Sequence, residues 1–151
     1  MVSFQVEELG KFMSMLLSGD AFDTWNVVEA KAETFCEIHL NGRIKKEFFD
    51  TEEREELAEY AAWSEVKPLF YQAIKGKKLP LSFTVVLMLP AKAVSEQAGD
   101  KRFLNIRYTK QGCVLTTGFA QTLFSLDKTA EQEWDTLAGE LLKEKGILFT
   151  K

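Results

Sequence analysis

Hydrophobic and polar positions in the first fifty residues predict a strand, a helix and three further strands. Val2–Val6 reads as a short strand, and Glu7–Ser18 places apolar side chains at the three- and four-residue spacing of one buried helix face. Strand-like stretches follow at 24–32, 34–40 and 43–49. The last two flank Asn41-Gly42, a pair typical of a two-residue hairpin turn.

The same order of elements recurs in the second half of the chain. Leu81–Leu89 is rich in strand-forming residues, and Pro90–Gln97 reads as a short helix. Three strand-like stretches follow, at 102–108, 113–118 and 122–127. We therefore expect an α+β fold made of two βαβββ units, with two similar sheets around one core and helices on one side.

Helical patterns fill the stretch between the two units and the end of the chain. Asp50 is predicted to cap a first, acidic helix of the insert, and Ser64 a second one. Thr129 and Gln132 form a capping box for the last helix. We expect a single domain over 1–151, divided into a first unit 1–49, a helical insert 50–79, a second unit 80–127 and a C-terminal helix 128–146.

Composition and charge narrow the classes of function. The 151 residues are 46% hydrophobic and 28% charged, as in ordinary globular proteins. The net charge of −4 is concentrated in residues 50–59, which hold six acids and one arginine. The rest of the chain is close to neutral, which is not the charge distribution of a dedicated nucleic-acid binder, so a nucleic-acid partner is not expected. Apolar stretches are too short to span a bilayer and the start lacks a signal peptide, which favours a cytoplasmic protein.

Two sets of side chains are candidate contacts for a ligand or partner. Asn105 and Arg107 share one face of a predicted strand, and the arginine fork suits carboxylate or phosphate if that face is concave. An outward face would make them ordinary surface. Lys75, Lys77 and Lys78 cluster at a helix exit and could hold a phosphate or an acidic partner, or simply be solvated there.

The other reactive side chains indicate no catalytic residue, no metal site and no cofactor. His39 is the only histidine, and no nucleophile lies near it in the sequence. Glu29, Glu33 and Glu37 recur at a spacing that suits a cation site, but solvent-facing strand charges explain it better. Both cysteines are expected to be small buried hydrophobic residues.

Three stretches resemble a family of uncharacterised proteins from anaerobic Firmicutes: WSEVKPLFYQAIKGKKLPLSF, FLNIRYTKQGCVLTTG and LDKTAEQEWD. This resemblance covers most of the chain and implies no activity and no functional residues. The element order is also similar to one domain of the DNA sliding clamps, which implies a ring whose helices line a basic hole. Outward positions of the first helix hold Glu7, Glu8 and Lys11, and such a lining would not be positive.

The leading hypothesis is a non-catalytic binding or assembly protein. Its partner would be another protein or further copies of itself, joined through open sheet edges. Two alternatives stay open: a small enzyme with an Arg and carboxylate site lacking histidine, and a clamp-like DNA-associated protein. A deep polar pocket at Arg107 or Glu29 would favour the enzyme, and an exposed apolar surface would favour the binding module.

Overall fold

The computed structural model describes residues 1–76, 78–90, 100–121 and 126–151. Its helices are α1 (Leu9–Leu17), α2 (Trp63–Ile74) and α3 (Thr129–Glu144). Its strands are β1 (Ser3–Val6), β2 (Asn26–Glu33), β3 (Glu37–Asn41), β4 (Ser82–Met88), β5 (Lys101–Thr109), β6 (Gly112–Ala120) and β7 (Phe149–Thr150). Two short 3₁₀ helices, Lys46–Phe48 and Arg54–Glu56, lie between β3 and α2.

The described strands form one antiparallel sheet in the order β3-β2-β4-β5-β6-β1-β7. Alternation along the strands gives it two different faces. On one face Val85, Ile106 and Leu115 lie in register, are completely buried, and share a core with side chains of all three helices. None of these helices covers the other, open face, where partly exposed residues, some polar and some apolar, alternate with the buried ones.

The predicted α+β class is confirmed, but the arrangement of the strands differs from the expected one. The described strands form one sheet rather than two, and the duplicated βαβββ arrangement is not confirmed. The stretch predicted as a strand at 43–49 forms an isolated bridge at Arg43 and the 3₁₀ helix Lys46–Phe48. The predicted helix 90–97 and strand 122–127 fall largely outside the described residues.

The predicted hairpin turn at Asn41-Gly42 is wrong. The turn lies earlier, at 34–36, where the N–H of the first residue donates to the carbonyl of the last at 2.9 Å. Gly42 instead continues from β3, and its N–H donates to the carbonyl of Val28 at 2.9 Å. A Cβ there would lie 1.9 Å from the carbonyl oxygen of Val27, so this position needs glycine for close approach rather than for a turn.

The predicted acidic helix of the insert does not form. Residues 50–56 are exposed and adopt turns and a 3₁₀ helix, because they have no apolar face whose burial would stabilise an α-helix. The second helix exists as α2 but begins at Trp63 and includes Pro68. The carboxylate of Glu65, rather than the Ser64 hydroxyl, caps it by accepting the N–H of Ala62 at 3.2 Å.

The predicted C-terminal helix is present as α3, with Trp134, Ala138 and Leu142 on its buried face. Its start is capped by Asp127 rather than by Thr129. A carboxylate oxygen of Asp127 accepts the hydroxyl of Thr129 at 2.5 Å and its N–H at 2.9 Å, and these hydrogen bonds lower the pKa of Asp127. Within the described ranges, no helix has the length and hydrophobicity that a membrane crossing needs.

The amino terminus is fastened to α3 by two carboxylates. The Met1 amino group donates to Asp135 at 3.0 Å and to Glu131 at 3.1 Å. The other carboxylate oxygen of Asp135 accepts the hydroxyl of Thr117 at 2.5 Å. The hydrogen bond to Asp135 is the largest cause of a pKa that lies above the usual 8.0 for this amino group.

The free energy of unfolding should therefore fall as the pH rises through this raised pKa. A group whose pKa is higher in the folded state stabilises that state below the unfolded pKa, and this contribution is lost above the folded pKa. Asp135→Asn keeps an acceptor for Thr117 but removes the charge. Its free energy of unfolding should therefore fall less steeply than that of the wild type as the pH rises above about 8. Denaturant unfolding at several pH values measures this, with Glu144→Gln at the other end of α3 as the control. Identical slopes in the wild type and Asp135→Asn would contradict the prediction.

Candidate functional site

A groove lies between the C-terminal end of α2 and the turn that joins β2 to β3. We call it the α2 groove, and its volume is about 490 Å³. It is lined by the turn, by the last helical residues and by the segment that follows them: Thr34, Phe35, Ala73, Ile74, Lys75, Gly76, Lys78, Leu79 and Leu81.

The backbone after α2 shapes this groove. The helix ends as Lys75 adopts an extended conformation, with its N–H still donating to the carbonyl of Tyr71 at 2.9 Å. Gly76 follows with φ at +150°, a conformation that L side chains rarely adopt. Farther on, the N–H of Leu81 donates to the carbonyl of Glu33 at 2.8 Å, which fastens the segment to the end of β2. The hydrogen bond from Leu81 thus holds this wall of the groove against the hairpin.

Large apolar side chains of the α2 groove face the solvent. The exposed fractions are 98% for Phe35, 79% for Leu79 and 50% for Leu81. The neighbouring Ile74 is buried and belongs to the core, so the floor of the groove is continuous with the protein interior. Neighbouring exposed apolar side chains typically mark an interaction surface, whereas single ones need no explanation.

Positive charge lies beside this apolar surface. The structure brings Lys75 and Lys78 of the predicted lysine cluster to the groove, and both are exposed. Lys77 falls outside the described residues. Neither Lys75 nor Lys78 forms an ion pair with another described residue. The groove therefore presents apolar surface next to two lysines whose charges no described carboxylate pairs with.

The other predicted pair lies elsewhere, on the open face of the sheet. Arg107 is exposed between Thr84 of β4 and Val114 of β6, and Asn105 lies on the same face of β5. Arg107 makes no ion pair within the described ranges. This placement corresponds to the outward-facing alternative, and the role of the pair as a ligand contact stays a prediction.

The histidine pairs with one of the three strand carboxylates at the protein surface. The Nε2 atom of His39 lies 3.2 Å from a carboxylate oxygen of Glu29, across the β2–β3 hairpin. Glu33 is opposite Glu37 in the same hairpin. Among the described residues, no three potential metal ligands lie together.

The two cysteines have different environments. Cys113 is buried as predicted, and burial raises the pKa of its thiol to about 12. Cys36 is exposed, contrary to the prediction, because it lies in the hairpin turn at 34–36. The prediction placed this residue inside a strand, where alternation would have given it a buried face.

The lysines of the groove were visible in the sequence, but its apolar residues were not. Phe35 and Leu81 were assigned to strands, and Leu79 to the end of the helical insert. One signal in the sequence could have indicated their exposure. The two leucines lie beside Gly, Lys and Pro, in a segment whose composition disfavours a helix with a buried face.

Arg102 is a charged side chain that is only 4% exposed. Its guanidinium lies 5.4 Å from the ring centroid of Phe119, and burial lowers its pKa while the charge of Glu133 opposes that shift. The ring of Phe119 and the charge of Glu133 thus stabilise the buried guanidinium.

Comparison with known protein families places the chain in one of them. The family model of DUF5721, described as a family of unknown function, matches residues 15–150. No curated protein gives a significant match, and neither does any solved structure. The matched residues include the hairpin, α2 and the segment after it, so the α2 groove lies entirely within the match. The chain thus belongs to the family of unknown function DUF5721, in agreement with its resemblance to an uncharacterised family.

Proposed function

We propose that the protein is a non-catalytic binding module, and that its partner is a protein segment that is both apolar and acidic. One observation carries this proposal: the α2 groove places exposed Phe35, Leu79 and Leu81 beside Lys75 and Lys78. Removal of this apolar surface from water favours association. Lysines on the rim add attraction and orientation for carboxylates.

The chemistry of the groove favours binding over catalysis. Among the described residues that line it, the polar side chains are one threonine and two lysines. It therefore lacks the pairing of a nucleophile or acid with an oriented base that catalysis by side chains requires. An enzyme built on Arg107 would need that side chain in a cavity, whereas Arg107 is exposed on the open face of the sheet.

A cytoplasmic setting is part of the proposal. Cys36 and Cys113 are both free, one exposed and one buried. An exposed thiol is compatible with the reducing conditions of the cytoplasm, where disulfides rarely persist.

The apolar anion 8-anilinonaphthalene-1-sulfonate provides a direct test of the groove. Its fluorescence rises when its rings leave water, and its sulfonate can pair with a lysine. We expect the wild type to bind it, and Phe35→Ser and Lys75→Glu/Lys78→Glu to weaken binding about tenfold, which corresponds to about 1.4 kcal/mol. Added salt should weaken binding to the wild type more than binding to the lysine variant.

Two matched variants serve as controls for this experiment. Leu148→Ser removes a half-exposed apolar side chain, and Lys110→Glu reverses an exposed charge, both away from the groove. Both should bind the dye as the wild type does. If Phe35→Ser and the double lysine variant also bind it equally well, the groove is not the binding surface.

A further inference from the structure

We infer that the segment entering the α2 groove is the loop 45–58 of a second copy of this chain, in a two-fold dimer joined along β3. The inference rests on the proposed function, because it names the partner of the same groove. Three features support it: the chemistry of the loop, the free edge of β3, and the positions of groove and loop at opposite ends of that strand.

The loop 45–58 presents the chemistry that the groove complements. It leaves the sheet after Ile44, whose N–H donates to the carbonyl of Glu59 at 3.0 Å where the chain returns. Phe48 is 82% exposed, and its ring contacts only the edge of Phe49 among the described aromatic rings, with 5.5 Å between centroids. Residues 50–56 are all exposed and contain five acids and one arginine. The loop thus offers an aromatic side chain next to concentrated negative charge.

β3 is an edge strand whose outer side is open to another strand. The N–H of Gly42 points to the carbonyl of Val28 in β2. Because backbone groups alternate along a strand, those of Glu37, His39 and Asn41 point away from β2. No described strand pairs with that side. Free edge groups of this kind are satisfied when a second strand is added.

Antiparallel pairing of two β3 strands brings each groove to the partner's loop. Phe35 lies two residues before β3 begins, and the loop starts four residues after β3 ends. Five strand residues span about 17 Å, which keeps the groove and the loop of one copy apart. A two-fold axis that lies between the two β3 strands, level with their midpoints, makes the strands antiparallel. Each groove then faces the loop of the other copy.

The size and charge of the two surfaces agree. A groove of about 490 Å³ accommodates the ring of Phe48 with neighbouring side chains, as pockets of a few hundred Å³ do for comparable groups. Carboxylates of residues 50–56 then lie near Lys75 and Lys78. In this arrangement Phe48 is the apolar anchor, and the charge pairs fix the orientation of the two chains.

Charge reversal on the two surfaces tests the dimer. The wild type should show twice the monomer mass by light scattering, with dissociation on dilution. Lys75→Glu/Lys78→Glu gives a negative groove, and Glu52→Lys/Glu53→Lys gives a positive loop, so each variant alone should dissociate at least about tenfold more readily. An equimolar mixture should recover the dimer, because each groove then meets a loop of opposite charge. Phe48→Ser should also weaken the dimer, and mixing it with Lys75→Glu/Lys78→Glu should not restore dimerisation.

The controls separate failure of the dimer from failure of the proposed function. Lys110→Glu should leave the mass unchanged, and circular dichroism checks that every variant is folded. A wild type that stays monomeric at all concentrations while binding the dye in the groove overturns the dimer and leaves the binding module standing. A wild type that neither dimerises nor binds the dye overturns both the dimer and the binding module. A dimer that neither charge variant weakens has its interface elsewhere, which also overturns the inference.

Discussion

Gly42→Ala is expected to lower the free energy of unfolding by about 3–5 kcal/mol, among the largest effects that one added methyl group can have. The new Cβ would lie 1.9 Å from the carbonyl oxygen of Val27 and 2.8 Å from its carbon. These are backbone atoms of β2, the strand next to the sheet edge, so no side-chain rotation relieves the clash. The backbone must separate, and the hydrogen bonds from Gly42 to Val28 and from Ala61 to Gly42 are then lost.

The matched control is Gly10→Ala in α1. A Cβ at Gly10 meets no atom within 4 Å, and alanine is a better helix former than glycine by about 0.5–1 kcal/mol. Chemical denaturation of both variants should therefore move the midpoints in opposite directions. A Gly42→Ala midpoint equal to that of the wild type would show that the two segments do not approach as closely as the structure indicates.

Elements whose identity depends on local periodicity could be predicted from the sequence. Leu104, Ile106 and Tyr108 alternate with polar residues, and all three are buried on the helix-covered face of the sheet. Phe12 and Leu16 have helical spacing and form the buried side of α1. In these elements local preference and tertiary burial point to the same structure.

The errors occur where tertiary contacts outweigh a local preference. Asn41-Gly42 is a strong turn signal on its own, but Gly42 is there because the chain passes against Val27. Residues 50–56 have good helix formers and a capping residue, but no apolar side to bury. Strand order has no local signature either, and so one sheet replaced the expected two.

Only half of the candidate site could be read from the sequence for a related reason. Clustered lysines are visible locally, whereas the exposure of an apolar side chain depends on what the rest of the fold leaves uncovered. Phe35 is exposed because the hairpin turns at 34–36, and Leu79 because Gly76 turns the chain away from α2. Both follow from backbone geometry that the periodicity did not predict.

Trp63→Ala should destabilise the protein by about 3–5 kcal/mol, because it leaves a large cavity between α1 and α2. Trp63 is completely buried, and its ring centroid lies 5.9 Å from that of Phe70. Its indole N–H donates to the carbonyl of Leu16 at 2.9 Å. That carbonyl is in the last turn of α1, where a helix has no backbone partner of its own to offer.

Trp63→Phe removes the indole hydrogen bond while keeping part of the aromatic packing. It keeps an aromatic ring but leaves the Leu16 carbonyl buried without the indole donor, at an expected cost of about 1–3 kcal/mol. Tyr71→Phe, at a partly exposed position of the same helix, should stay within about 0.5 kcal/mol of the wild type. Urea unfolding of the three variants measures this order. Trp63 is at the N-terminal end of α2, whereas the groove is formed by the C-terminal end. Folded Trp63→Phe should therefore still bind the dye. Equal stability of Trp63→Phe and wild type would mean that the indole donor does not join α1 to α2.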